Sequence, residues 1–154
     1  PVLFGSLVRI ICKDEGSFYV LIPFILSILS DTGAYFVGLK FGKHKLAPKV
    51  SPKKTREGAV GGLVGGMVGM IIFRIVFFLV TEVQLNIGWC VLLGLVGAAM
   101  GQLGDLSFSA IKREYGIKDY GRLLPGHGGV LDRFDSVIFA APIVWLIISS
   151  VTMY

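Results

Sequence analysis

Four apolar stretches, Phe18–Leu39, Ala59–Val80, Gly88–Leu106 and Val137–Met153, each come close to the ~20 residues a helix needs to cross a hydrocarbon core of ~30 Å. Such runs are too long for strands. In lipid every backbone N–H and C=O must be satisfied internally, which leaves helices as the form these segments can take. Composition agrees: 54% of residues are hydrophobic and 16% charged, against about a quarter charged in soluble domains, and the mean hydropathy is +0.76. The expected fold is all-α, a polytopic integral membrane protein with about four full spans, a shorter apolar segment Pro1–Cys12 and polar loops. Pro1–Cys12 has neither a starting Met nor a basic stretch before its apolar core, so it does not read as a signal peptide. Residues 1–154 are expected to be the single C-terminal membrane domain of a longer polytopic chain, with the earlier helices absent.

The formal charge is +5, but its placement says more than its sum. The first polar loop carries Lys40, Lys43, Lys45, Lys49, Lys53, Lys54 and Arg56 against Glu57 alone. In the segment Asp105–Asp135 the basic residues Lys112, Arg113, Lys118, Arg122 and Arg133 are balanced by Asp105, Glu114, Asp119, Asp132 and Asp135. The intervening "TEVQLNIG" holds no Lys or Arg. Four spans put both charged loops on one side, and the Lys/Arg excess makes that side cytoplasmic. Charge of this kind, tied to membrane spans, points away from nucleic acid as a partner. Arg74, inside the second run, is expected to snorkel to the interface.

Gly58, Gly62 and Gly66, then Gly61, Gly65 and Gly69, and Gly97 with Gly101 repeat at four-residue spacing. Inside spanning runs this pattern lets helices approach closely; no GxxxxGK[ST] phosphate loop accompanies it. Cys12 and Cys90 have no partner at zinc-like spacing and are expected to pack as small hydrophobes.

Chemistry concentrates at the charged side. If the third helix continues past Gly104, Asp105, Ser109 and Lys112 share one face, and Asp132, Asp135 and Ser136 share another at the start of the last helix. Carboxylates at a membrane boundary are costly unless paired or bound to cations. Asp132 could instead be a helix N-cap, with Asp135 favoured by the helix dipole. "PGHGG", with His127, offers backbone N–H groups for anions, and "SPKKT" adds Lys53 and Lys54. Carboxylates interleaved with Lys and Arg suit a hard cation together with several phosphates, where Lys and Arg alone would suit lipid headgroups.

The stretch "SFSAIKREYGIKDYGRLLPGHGGVLDRFD" (Ser107–Asp135) resembles the signature of the phosphatidate cytidylyltransferase (CDP-diacylglycerol synthase) family. Two further stretches resemble it too, "SDTGAYFVGLKFGKHKLAPKVSPKKTREG" (Ser30–Gly58) and "GQLGD" (Gly101–Asp105). The resemblance implies a Mg²⁺-dependent membrane enzyme that joins CTP to phosphatidate, giving CDP-diacylglycerol and pyrophosphate, with 1–154 as its C-terminal catalytic part. It implies Asp105 and Asp132 as metal ligands; with these two, Lys112 and Asp135, read from their helix-face positions, are expected to be the catalytic residues. Substrate binding would fall to Lys53, Lys54, Ser109, Arg113, Lys118, Asp119, His127 and Arg133. Family members carry further spanning helices ahead of this region.

Both substrates are multiply anionic, so the barrier to attack at the α-phosphorus is repulsion and positioning. One substrate lies in the bilayer and the other in the cytosol, which places the site at the cytoplasmic interface of the cell inner membrane or its equivalent. The expected partners are CTP, phosphatidate and membrane lipid; a second cation and a homodimer stay open. His127 is expected to serve phosphate binding and loop geometry, since a zinc site would want more His or Cys ligands. Two rival readings are another CTP-dependent membrane lipid enzyme of the polyprenol kinase type and a cation transporter with Asp31 in its pathway. For Asp31 the plainer reading is a hydrogen bond between packed helices.

Overall fold

The computed structural model describes residues 2–12, 16–117, 120 and 131–150. Among the described residues there are six helices, α1 (Val2–Ile11), α2 (Gly16–Tyr19), α3 (Leu21–Phe41), α4 (Arg56–Thr81), α5 (Ile87–Glu114) and α6 (Leu131–Ser150), and one small hairpin, β1 (Lys45–Ala47) and β2 (Ser51–Thr55). By length and composition α3, α4 and α5 can each cross a membrane. The fourth expected span falls on α6, whose described apolar part is Phe134–Ser150; residues 131–133 are described only as backbone and 151–153 lie outside the described set. The all-α expectation needs one correction, the antiparallel hairpin in the basic loop.

Helix ends follow local chemistry. Thr55 caps α4 by accepting a hydrogen bond from the Gly58 N–H at 3.1 Å, and Asn86 caps α5 through the Gly88 N–H at 2.9 Å. α5 runs eight residues beyond the apolar stretch that announced it, to Glu114, so Asp105, Ser109 and Lys112 do share one helix. α6 begins at Leu131, which places Asp132 inside its first turn and not at the cap position.

Sequential helices pack on one another, α3 on α4, α4 on α5 and α5 on α6, while α6 also reaches α3 and α1. The bundle has two unlike halves. Away from the charged loops the core is bulky, with Ile22, Leu26, Met70, Phe73, Phe77, Leu93 and Val144 buried together and the Tyr19 and Phe77 rings stacked at 5.8 Å. Toward the charged loops glycine replaces bulk. A Cβ on Gly58 would stand 2.9 Å from the Ala34 carbonyl oxygen, and one on Gly104 would stand 2.8 Å from both the Asp135 carbonyl oxygen and Phe139 Cβ. The expected close-packing stripes therefore draw α3, α4, α5 and α6 together where polar residues congregate. Outward-facing Ile28, Phe36, Ile72, Ile75, Leu79 and Val80 stay exposed, as a lipid-facing surface requires.

Arg74 reaches toward the outer end of its span, where its Nε donates to the Leu85 carbonyl at 2.7 Å and ties down the loop between α4 and α5. One smaller expectation changes: Cys90 is buried as expected, but Cys12 is exposed.

Candidate active site at the charged end of the bundle

The hairpin folds from turn chemistry and one carboxylate. Pro48 occupies the second position of the turn closed by Val50 N–H to the Ala47 carbonyl at 3.2 Å, where its fixed φ is favourable. Glu57, in the first turn of α4, accepts from the backbone N–H groups of Lys43 and His44 at 3.2 and 3.3 Å and meets His44 Nδ1 at 2.7 Å. From the far side Arg113 Nε donates to the Val50 carbonyl at 3.3 Å, so α5 holds the turn. The pairing is irregular: the step from Lys45 to Ala47 faces the longer step from Thr55 to Ser51. In a regular strand Lys53 and Lys54 would point to opposite faces. Bulged pairing re-aims side chains, and here both lysines line one cavity.

That cavity, about 540 Å³, lies between α3, the hairpin, α4 and α5, with Asp31, Tyr35, Lys45, Lys53, Lys54 and Gln102 among its lining residues. Its volume suits a drug-sized ligand. At one end Lys54 forms an ion pair with Asp105, and Ser109 donates to Asp105 Oδ1 at 3.3 Å. The two charged side chains keep 28% and 24% of their surface exposed, so solvent screens the pair only in part. Gln102, one turn before Asp105, stitches three helices by donating to Ser30 Oγ at 3.3 Å and the Ala59 carbonyl at 3.1 Å. Asp135 is nearly buried and its Oδ1 accepts from the Ser136 N–H at 2.7 Å. The charges of Asp105 and Lys54 act on both Asp31 and Asp135, and that of Lys112 acts on Asp135 as well. Lys112 Nζ lies 5.4 Å from the centre of the Tyr120 ring, whose hydroxyl donates to the Phe108 carbonyl at 3.2 Å.

The structure therefore brings together Lys53, Lys54, Asp105, Ser109, Lys112 and Asp135 from the expected set. Arg113 sits at the margin, engaged with the hairpin backbone. Lys118, Asp119 and His127 lie outside the described residues; Asp132 and Arg133 are described only as first-turn backbone of α6. Asp31, Tyr35, Gln102 and Lys45 extend the site beyond that set. Asp31 faces this polar centre instead of serving only as a packing hydrogen bond, and Lys45, expected on the solvated anchor face with Lys49, belongs to the cavity wall. Gln102 had a signal in the sequence, its position one turn before Asp105; Lys45 had none, because only pairing across the hairpin distinguishes it from Lys49.

Among the described residues no group of three His, Cys, Asp or Glu side chains is placed to hold a metal ion. The donors at the centre, the carboxylates of Asp105, Asp31 and Asp135 with the Ser109 hydroxyl, are all oxygen, the ligand type a hard divalent cation takes. Asp31 is exposed and Asp105 partly open, whereas Asp135 is buried.

Comparison with known proteins gives a consistent result. The cytidylyltransferase family matches residues 1–151. The phosphatidate cytidylyltransferase of Staphylococcus epidermidis (strain ATCC 35984) is 44% identical over 132 residues, 86% of this chain and 49% of that protein. Those of Staphylococcus aureus (strain COL) and Staphylococcus haemolyticus (strain JCSC1435) are both 45% identical, over 134 and 132 residues, with the same coverage. The chain spans about half the length of the curated relatives it matches.

Proposed function

The chain belongs to the cytidylyltransferase family, and from that premise we propose that it carries the catalytic half of a phosphatidate cytidylyltransferase, acting at the cytoplasmic face of a membrane. A phosphate oxygen of phosphatidate attacks the α-phosphorus of CTP; that P–O bond forms as the bond to the bridging oxygen breaks, and pyrophosphate leaves with the electron pair. The observation that carries the reading is the ion pair of Lys54 with Asp105. It joins the basic hairpin to α5 beside a cavity large enough for substrate.

The residues divide the work by charge. Lys53, Lys54 and Lys112, with Arg113, Lys118 and Arg133 from the adjoining segments, offset the negative charge of two phosphate-bearing substrates and hold them in line. Ser109 orients the Asp105 carboxylate, and Asp135 is fixed by the Ser136 N–H. Asp119 and His127, in the segment that precedes α6 in sequence, bind nucleotide or phosphate. Asp105 and Asp132 would hold Mg²⁺, which when bound supplies charge neutralisation to the phosphates. No covalent enzyme intermediate is required, because one phosphate oxygen reaches another phosphorus directly. The Lys/Arg excess of the first polar loop supports a cytoplasmic site, and the exposed apolar helices support delivery of the lipid substrate from the bilayer.

The test is transfer of label from [α-³²P]CTP into chloroform-soluble lipid by purified full-length protein, with Mg²⁺ and phosphatidate, beside a cation-flux measurement in liposomes. The expected result is labelled CDP-diacylglycerol without flux; flux without labelled lipid would refute the proposal.

A further inference from the structure

The end of α5 reverses the chain. Gly116 takes φ +66°; its N–H donates to the Arg113 carbonyl at 3.2 Å, and the Ile117 N–H donates to the Lys112 carbonyl at 2.9 Å. This paired closure is the Schellman ending, whose left-handed residue glycine adopts without a Cβ penalty. Beyond the reversal Tyr120 lies back against the helix the chain has just left. Its hydroxyl donates to the Phe108 carbonyl at 3.2 Å, its ring meets the Phe108 ring edge to face at 5.8 Å, and Phe108 in turn meets Phe139 of α6 at 6.0 Å. The ring is held at its hydroxyl and by Phe108. Over it, 5.4 Å from its centre, stands the Lys112 ammonium. A lysine ammonium is a point charge on a flexible stem, and α5 alone does not select its rotamer; an aromatic face within ~6 Å attracts it and does. Lys112 shares a helix face with Asp105 and Ser109, and its charge acts on Asp135, so its placement counts at the centre of the site.

We propose that Tyr120 is a positioning residue for the transfer reaction: its ring holds the Lys112 ammonium in place beside Asp105 and Asp135, and it acts on the substrates only through that lysine. The reversal at Gly116 delivers the ring, the Phe108 carbonyl fixes its tilt, and the contact between ring and ammonium selects the lysine rotamer. The role rests on the cytidylyl-transfer reading and extends it, because Tyr120 is absent from the expected site residues.

A double-mutant cycle on full-length protein tests it, with kcat, KM and melting temperature measured for wild type, Tyr120→Phe, Tyr120→Leu, Lys112→Met and the double variant Tyr120→Leu/Lys112→Met. Tyr120→Leu should lower kcat about tenfold, the size of a partly desolvated contact between a cation and a ring, with KM for each substrate within about twofold. Tyr120→Phe keeps the ring and should stay within about threefold of wild type. With Lys112→Met already present, Tyr120→Leu should change kcat by less than about twofold, because a residue that acts through Lys112 then has nothing to act on. Pentafluorophenylalanine in place of Tyr120 keeps the shape of Phe and inverts the charge distribution of the ring; it should melt like Tyr120→Phe and turn over as slowly as Tyr120→Leu, and it decides the matter even where the Leu variant unfolds. Equal kcat for Phe and pentafluorophenylalanine at this position overturns the role, as does a Tyr120→Leu loss that persists undiminished without Lys112. Wild-type protein that transfers no label from CTP refutes the underlying reading and this role with it; an active wild type with additive losses refutes this role alone.

Discussion

Replacing Lys54 by Met keeps the aliphatic stem and removes one charge from the point where the hairpin meets α5. Two unit charges ~4 Å apart interact by about 4 kcal/mol at an effective dielectric constant of about 20. About a quarter of each side chain remains exposed, so screening lowers that figure, and about 2–3 kcal/mol is the expected loss of transition-state stabilisation. That corresponds to a fall in kcat/KM of roughly 30- to 150-fold. Folding should suffer far less. Lys54 keeps part of its side chain exposed, and the hairpin retains its turn, the Glu57 contacts and the Arg113 hydrogen bond. The assay is steady-state CDP-diacylglycerol formation by full-length protein in mixed micelles, with melting temperature as the folding check and Lys54→Arg as the charge-preserving comparison. Arg should restore part of the lost rate. A Lys54→Met enzyme that melts normally and keeps more than half of wild-type kcat/KM would refute the role given to the Lys54–Asp105 pair.

Lys112→Ala should reduce turnover far more than Lys49→Ala, since Lys112 acts on the buried Asp135 while Lys49 lies exposed on the hairpin turn; equal effects in the same assay would remove the distinction between site and anchor lysines. Asp132→Asn should cost roughly a hundredfold or more in rate and shift the Mg²⁺ requirement upward, with Asp135→Asn milder; near-normal activity of Asp132→Asn at low Mg²⁺ would leave Asp132 a first-turn helix residue and no more. Gly104→Val should destabilise by about 1–3 kcal/mol through overpacking, because its Cβ meets the Asp135 carbonyl and Phe139; thermal melting in detergent should show a fall of several degrees. Acid-stable and acid-labile phosphoprotein analysis during turnover should find no phosphohistidine or cytidylyl-histidine at His127; a trapped adduct there would demand a covalent mechanism.

Much of this molecule can be read from the order of its residues because the bilayer imposes simple demands. Span length is set by membrane thickness, so α3, α4 and α5 could be placed without any tertiary information. Glycine spacing on one helix face likewise foretold close approach, and the i, i+4, i+7 spacing of Asp105, Ser109 and Lys112 foretold their shared face once α5 continued past the apolar run. These are local or one-dimensional properties.

What tertiary structure decided is everything that depends on rotation and register between segments. Asp31 could have faced lipid, a neighbouring helix or the site; the glycine contacts of α3 with α4, together with the Gln102 hydrogen bonds to Ser30 and Ala59, set the rotation that turns it toward Asp105 and Lys54. The hairpin left no alternating apolar pattern to detect, since a short basic segment with Pro48 and Pro52 reads as loop. It exists because Glu57, just past β2, and Arg113, far from it in sequence, fasten its two ends. Its irregular register then separates Lys45 and Lys53, in the cavity wall, from Lys49 on the turn. Residues with the same charge in the same loop acquire different environments only through pairing, and strand pairing is a contact between segments that no single segment encodes.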